Sequence, residues 1–433
     1  MPPGIPYIIG NEFAERFSFY GMKGILVVFM TQHLLGADGE LSVLSEEDAT
    51  GYYHLFTMAV YLTPLFGGLL ADVVLGKYRT IMLLSMVYVL GHGVLAINDQ
   101  RLGLAVGLGL IAVGAGGIKP CVSAHVGDQF GSKNSHKLSK VFSWFYFAIN
   151  LGAWLSMMIT PLLLEHVGGW AAFGLPGVLM LLATIVFWMG RNVYVHIPPG
   201  GMEFIRETFS PEGIRAMCKL SIIYVFVLVF WALFDQTGST WVLQAVDMNR
   251  NILGVEVLPS QIQSFNPLLI LIFIPLFNYG LYPLIDKVVK TTPMRKIAVG
   301  LFLTAAPFAI AAWLEQRIVN GEAPTIAWQI LQYVLLTAAE VMVSITALEF
   351  SYTQAPKKMK SWIMGLFFAS VALGNAFTAA VNFFIQNPDG SSKLEGPSYF
   401  LFFTGIMGVT AVIFLVVVYF YKEEHYIQDD ATK

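Results

Sequence analysis

Apolar residues in this chain run in blocks of about twenty, the length a helix needs to cross a bilayer, and short polar, charged or Gly/Pro-rich segments separate the blocks. Twelve blocks stand out, roughly at 8–36, 48–75, 79–98, 102–128, 138–165, 170–194, 216–246, 259–289, 294–319, 324–354, 359–386 and 397–422. They predict twelve helical spans. Val195 to Arg215 is the longest connection on its side, contains Pro198-Pro199-Gly200-Gly201 and divides the spans six to six. It is the natural linker between an N-terminal half, 1–194, and a C-terminal half, 216–433.

The basic residues outside the blocks set the expected orientation. One set of loops carries Lys77, Arg79, Lys133, Lys137, Lys140, Arg191, Arg206, Arg215, Lys219, Lys287, Lys290, Arg295, Lys296, Lys357, Lys358 and Lys360, whereas the alternate set carries only Arg101, Arg250, Arg317 and Lys393. By the positive-inside rule both termini are cytoplasmic. The acidic first outer loop, with Asp38, Glu40, Glu46, Glu47 and Asp48, agrees. The halves also echo each other: Asp72 with Gly76-Lys77-Tyr78-Arg79 follows span two, and Asp286-Lys287 with Lys290 and Arg295-Lys296 follows span eight. Two six-span halves with related loops predict the major facilitator architecture, with a binding site at the midplane between halves. Met-Pro-Pro-Gly-Ile-Pro at the start has no basic residue and no cleavage pattern follows it, so the first block is expected to be a retained span.

Composition narrows the class. Hydrophobic residues make up 56% and charged residues only 12% of the 433, against about a quarter charged in soluble domains, so the chain reads as an all-α polytopic membrane protein. A net charge of −3 gives no reason to expect a nucleic-acid partner. Cys121 and Cys218 lack framework or metal-ligand spacing and read as free buried thiols.

Against this background the charges inside the blocks carry the chemistry. Span one holds Glu12, Glu15, Arg16 and Lys23, and at about 100° per residue positions 12, 15, 16, 19, 20 and 23 share one stripe. A charge at the bilayer centre costs roughly 3 kcal/mol, so such a stripe faces a water-filled cavity and marks a substrate or ion path, the alternative being a self-neutralised Glu12–Arg16 structural pair. Further polar residues inside the blocks are His54 and Tyr61 in span two, Lys119 in span four, Asn150 in span five, Asp235 in span seven, Asn266 in span eight and Glu340 in span ten. If six spans make one repeat, Arg16 stands opposite Asp235 and Lys119 opposite Glu340, a cavity with opposite charges on its walls. Gly114 to Pro120 around Lys119 reads as a flexible, kinkable stretch. Asp235 reads either as half of a gating ion pair or as a proton site, and His54 as a satisfied structural histidine or, with Tyr61 on its face, a proton relay. Asp72, Asp128 and Glu349 read as gate or loop pairs. Trp144, Trp170 and Trp188 read as interface anchors or core. Arg16, Lys23 and Lys119 face Glu12, Glu15, Asp235 and Glu340, one carboxylate in excess, which predicts one carboxylate that takes up a proton.

Glu12-x-x-Glu15-Arg16-Phe17-x-Phe19-Tyr20 closely resembles the ExxERFxYY motif of the proton-dependent oligopeptide transporters. The resemblance continues in Gly67–Thr80, in Phe145–Gly152, in Phe230–Ser239, and in Glu340 followed by Leu348-Glu349-Phe350-Ser351-Tyr352-x-Gln354-Ala355-Pro356, and so covers both halves. It implies symport of di- and tripeptides with protons by alternating access, as a monomer in a bacterial inner membrane, with no cofactor beyond the coupling proton. By position, Arg16, Lys23 and Lys119 would bind the peptide carboxylate, while Glu340, Asn150 and Asn266 would hold its amino terminus. Tyr20 and Tyr61 would line the pocket. Glu12, Glu15, Glu340, His54 and Asp235 are then the proton-coupling candidates. Phe19 replaces the first motif Tyr, and Thr240 and Asn278 stand where mammalian relatives have a paired Arg and Asp. Val195 to Arg215 is too short for the two extra helices usual in bacterial members.

Two rival readings fit less well. Plant relatives of the same fold carry nitrate, an anion that Glu340 would repel. An intramembrane enzyme would need a His-Glu-x-x-His or comparable pattern, which the chain lacks.

Overall fold

The computed structural model describes residues 1–131, 134, 137–201, 205–206, 209–353, 360–387 and 391–421. Lys133, Gln354-Ala355-Pro356, Lys357 and Lys358 fall outside the described residues, as does the side chain of Lys360.

Among the described residues, eleven helices are long and apolar enough to cross a membrane: Glu46–Leu75, Lys77–Ile97, Arg101–Asp128, Lys140–His166, Gly169–Asn192, Gly213–Val246, Pro259–Asp286, Pro293–Val319, Ala327–Ser351, Trp362–Ile385 and Pro397–Phe420. The first helix, Ile5–Val28 with a π-helical continuation at Phe29–His33, completes the twelve. Its four charges are what set it apart from the others. Each observed span coincides with an expected block to within a few residues, because length and apolarity alone dictate where water can reach the backbone.

Helix starts follow local chemistry. Ser45 caps span two by accepting from the Asp48 amide, and Ser210 and Thr292 do the same for spans seven and nine, each with Pro at the first helical position of the latter two. Buried apolar residues gather into one cluster drawn from 5–194 with Val242 and Leu243, a second drawn from 220–414, and a small third around Ile270, Phe277 and Val341. Span one packs on spans five and six, and span three on spans four and six; span nine packs on spans ten and twelve. Span two runs along span eleven, joining the two clusters.

Two irregularities and one glycine-rich face position the interior charges. Span seven breaks into a 3-10 turn at Asp235–Gly238, where the Tyr53 hydroxyl occupies the space a Cβ on Gly238 would need. Span ten carries a π-helical turn at Val341–Ile345 immediately after Glu340, a feature frequent at functional sites. The Gly114–Gly117 stretch, expected to be flexible and kinkable, lies within the helix Arg101–Asp128, which also holds Pro120. Its glycines are there for close approach: Gly116 abuts Thr63 of span two and Gly117 abuts Leu84 of span three, which seats Lys119 two residues farther on inside the bundle.

The crossing of spans two and four is the tightest of these contacts. A Cβ on Gly67 would collide with the backbone carbonyl of Gly116, which cannot rotate away. Gly67→Ala gains up to about 1 kcal/mol of helix propensity, but overpacking costs about 1–3 kcal/mol, so the clash wins. Thermal unfolding in detergent is expected to show a lower Tm for Gly67→Ala; an unchanged or raised Tm would contradict this crossing geometry.

Candidate functional site

The charged stripe of span one is divided between two partnerships. Arg16 Nε donates to Glu12 Oε1 at 2.7 Å, one turn earlier, and lies 3.3 Å from Glu15 Oε2. One guanidinium therefore serves two buried carboxylates. Lys23, nearly two turns farther on, leaves the helix's own charges and reaches across to span seven, donating to Asp235 Oδ1 at 2.8 Å. The expected juxtaposition of Arg16 with Asp235 is thus corrected: the repeat relates the helices, but the break after Phe234 sets Asp235 at the level of Lys23.

Asp235 anchors a chain of hydrogen bonds across four spans. Asn375 Nδ2 donates to Asp235 Oδ2 at 2.8 Å, Asn375 Oδ1 lies 2.7 Å from His54 Nδ1, and His54 Nε2 lies 2.9 Å from Ser239 Oγ. The bonds run in one direction if His54 is neutral with its proton on Nδ1, so that Ser239 donates to Nε2. His54 is fully buried. This network, with Gln263 donating to the Gly24 carbonyl, Gln261 to the Met158 carbonyl and Gln386 to Ser45, forms a seam between helices before residue 195 and helices after residue 215. All of these residues lie toward the ends of the spans remote from the chain's N-terminus. Asn375, Ser239 and Tyr53 were not picked out from the sequence, although Asn375 is an amide inside an apolar block, the same signal that marks Asn150 and Asn266.

Among the described residues, Lys119 and Glu340 have no ion-pair partner. Lys119 Nζ is buried and has no hydrogen-bond partner among the described residues. It lies 3.7 Å from the centroid of the Phe19 ring and 5.6 Å from that of Tyr61. At Phe19, where the motif has Tyr, the ring offers Lys119 its face but no hydroxyl to accept a hydrogen bond from the ammonium. Such contacts contribute about 0.5–2 kcal/mol, less than the roughly 3 kcal/mol cost of a Lys at the bilayer centre. Glu340 accepts from Asn266 Nδ2 at 2.7 Å, and Asn266 also bonds Thr337 Oγ1 at 3.1 Å, but no described cation pairs with Glu340. Lys119 and Glu340 do not bond each other. Tyr20 lies within electrostatic reach of Arg16, Lys23 and Glu340, and its ring meets Phe19 edge-on at 5.2 Å between centroids. Tyr61 meets Phe368 of span eleven at 6.1 Å between centroids, and Asn150 donates to the Tyr146 carbonyl of its own helix at 2.9 Å.

A family model described as the POT family matches residues 78–211 and 202–396. The chain belongs to the POT family. Among curated relatives of this POT chain, "Solute carrier family 15 member 2" of Danio rerio is 39% identical over 398 residues, covering 80% of the chain and 54% of the relative. "Peptide transporter family 1" of Drosophila melanogaster is 40% identical over 364 residues, covering 73% and 48%. The chain spans about half the length of the curated relatives it matches. A crystal structure described as an auto-inhibited POT family peptide transporter is 34% identical with a TM-score of 0.90, covering 99% of both chains. The structure of the POT family transporter PepTSo is 35% identical with a TM-score of 0.89, covering 98% of this chain and 100% of that one. The POT chain is thus a multi-pass membrane protein of the major facilitator fold.

Other expectations meet the POT structure as follows. Lys77 pairs with Asp128 at 2.7 Å, as read for the loop acids. Trp144, Trp170 and Trp188 are each about half exposed. Thr240 bonds Gln236 of its own span. Cys121 is buried, but Cys218 is exposed, because it falls on the outward face of span seven and not the inward one.

The seam of this POT protein generates a test. Asn375→Ala leaves Asp235 and His54 each short of a partner, a loss of about 1–3 kcal/mol, hence about fivefold or more in the open population. A cysteine introduced at the buried Ala49 is expected to react with a charged maleimide correspondingly faster in the Asn375→Ala background. Equal labelling rates in both backgrounds would rule out the seam as a closing element.

Proposed function

We propose that this protein is a proton-coupled symporter that imports di- and tripeptides by alternating access, its two six-span halves, 1–194 and 216–433, rocking about a site between them with 195–215 as cytoplasmic linker. The observation that carries this reading is the pair of uncompensated charges, an ammonium at Lys119 and a carboxylate at Glu340. A zwitterion of peptide length supplies what each lacks: its carboxylate goes to Lys119, and its amino terminus to Glu340 with Asn266. Arg16 and Lys23 join the carboxylate side when their own partners release them. Tyr20, Tyr61 and Asn150 line the path between. Nitrate, a lone anion, satisfies Lys119 and leaves Glu340 uncompensated.

Proton coupling follows from the same ledger of charges. Lys23–Asp235 is neutral, and a bound zwitterion neutralises Lys119 and Glu340. Lys119 lies within electrostatic reach of Glu12 and Glu15, so once a bound peptide carboxylate takes Lys119 those two share Arg16, and one of them takes the proton. Asp235 and His54 act at the seam: a proton on Asp235 frees Lys23, and one on His54 forces Ser239 to turn its hydroxyl, so either loosens the closed end. Substrates, protons and surrounding lipid are the partners of a monomer with both termini on the cytoplasmic side of a bacterial inner membrane, working without a cofactor.

Reconstituted liposomes with an imposed proton gradient test this. Labelled dipeptide uptake is expected to saturate and to be indifferent to nitrate; uptake independent of the gradient would refute the coupling. Lys119→Ala and Glu340→Ala should each abolish uptake, and retained uptake in either removes that residue from the site. Glu15→Gln or Glu12→Gln should lose gradient-driven accumulation while keeping peptide counterflow; if both variants accumulate peptide normally, the proton is carried elsewhere.

A further inference from the structure

At the end of the bundle where span two finishes, a cavity of about 530 Å³ opens between the turn into span three, span four and the first residues of the linker. It lies apart from the residues placed in the transport site. Its lining carries Lys77, Arg79, His125 and His196, and none of its lining residues is acidic. Lys77 is partly neutralised by Asp128 at 2.7 Å, but no ion pair among the described residues involves the exposed Arg79. His125 is 1% exposed, and its Nε2 has no partner. His196 is held by its Nε2 contact with the Arg191 carbonyl at 3.0 Å and by the Tyr78 ring at 5.1 Å.

The cavity is a built feature. The Gly200 amide donates to the Asp72 carbonyl at 2.7 Å, and Val195 donates to Gln129 Oε1 at 2.9 Å, so the linker is tied down over the ends of spans two and four. Gly76 takes φ = 78°, a left-handed conformation that turns the chain sharply and places Lys77 and Arg79 at the mouth. A concavity of this size with clustered cations and imidazole donors suits a compact oxyanion of more than one negative charge and several acceptor oxygens. Its lip is apolar and turned outward, with Val74 61% and Ile197 49% exposed. That is the environment of a helix end at a membrane border, where basic pockets meet anionic headgroups.

We propose that this cavity binds a phosphate group, presented either by an acidic phospholipid headgroup or by a soluble phosphate ester. Arg79 supplies the planar fork and Lys77 the second cation, with His125 Nε2 as a further donor, while His196 lines the wall. The transport site and this site share no residue.

Native mass spectrometry and thermal unfolding of the purified full chain distinguish the sources, using phosphatidylglycerol, phosphatidylcholine, inorganic phosphate and glycerol 3-phosphate as probes. Retention of phosphatidylglycerol over phosphatidylcholine, weakened about fivefold by Arg79→Gln, identifies a lipid headgroup. Stabilisation by glycerol 3-phosphate or inorganic phosphate with no preference between the lipids, weakened likewise, identifies a soluble ester. Arg79 and His196 are exposed, so Arg79→Gln and His196→Ala are expected to melt like the parent without ligand, which separates binding from folding. The proposal fails if none of the anionic probes binds, or if both variants bind them as tightly as the parent.

Discussion

A charge held where a bilayer lies calls for compensation, and that single requirement governs the interior charges among the described residues. Arg16 answers two glutamates of its own helix, while Lys23 and Asp235 answer each other across helices that are 212 residues apart in sequence. A buried pair of this kind contributes little over an apolar substitute, yet losing one partner costs about 3–5 kcal/mol. Such a contact therefore acts as a latch: it is rigid while intact and yields all at once when one charge is removed.

The same requirement leaves Lys119 and Glu340 outstanding. Lys119 rests on the Phe19 ring and Glu340 on the Asn266 amide, and neither contact supplies a full opposite charge. Under the proposed function, compensation by a bound zwitterion would make affinity and specificity one and the same property, because a ligand carrying only one charge leaves the other end of the cavity uncompensated. Proton and peptide would then be linked through the charge sum and not through any single shared bond.

Backbone irregularity is what lets these charges occur at usable depths. The break at Asp235–Gly238 turns Asp235 and Ser239 toward spans one, two and eleven, the π-helical turn after Glu340 interrupts span ten beside its acid, and the glycine face of span four brings Lys119 inward. Each departure from a regular helix removes or strains a backbone hydrogen bond that lipid cannot replace. Each sits next to a polar side chain that gives it a reason.

Much of this was legible in the order of residues. Twelve spans, their approximate ends and the buried stripe of Glu12, Glu15, Arg16 and Lys23 follow from apolar length and helical periodicity, which are local properties. The list of interior polar residues and the excess of one carboxylate follow likewise, since a charge in an apolar block is visible without knowing its neighbours. Which charges pair was not legible. Arg16 seemed to face Asp235 because a six-span repeat aligns their helices, but depth is decided by the break in span seven, and so Lys23 takes the acid. That the glycines of span four form a packing face was not legible either, and Cys218 looked buried and is exposed. Asn375 and Ser239 joined the seam only through contacts with His54 and Asp235 that lie 321 and 185 residues away in one case and 140 in another. Sequence by itself determined what each helix must bury, because burial is a matter of side-chain chemistry and period. Only the tertiary structure decided which buried charge meets which, because that depends on the relative depth and rotation of helices far apart along the chain.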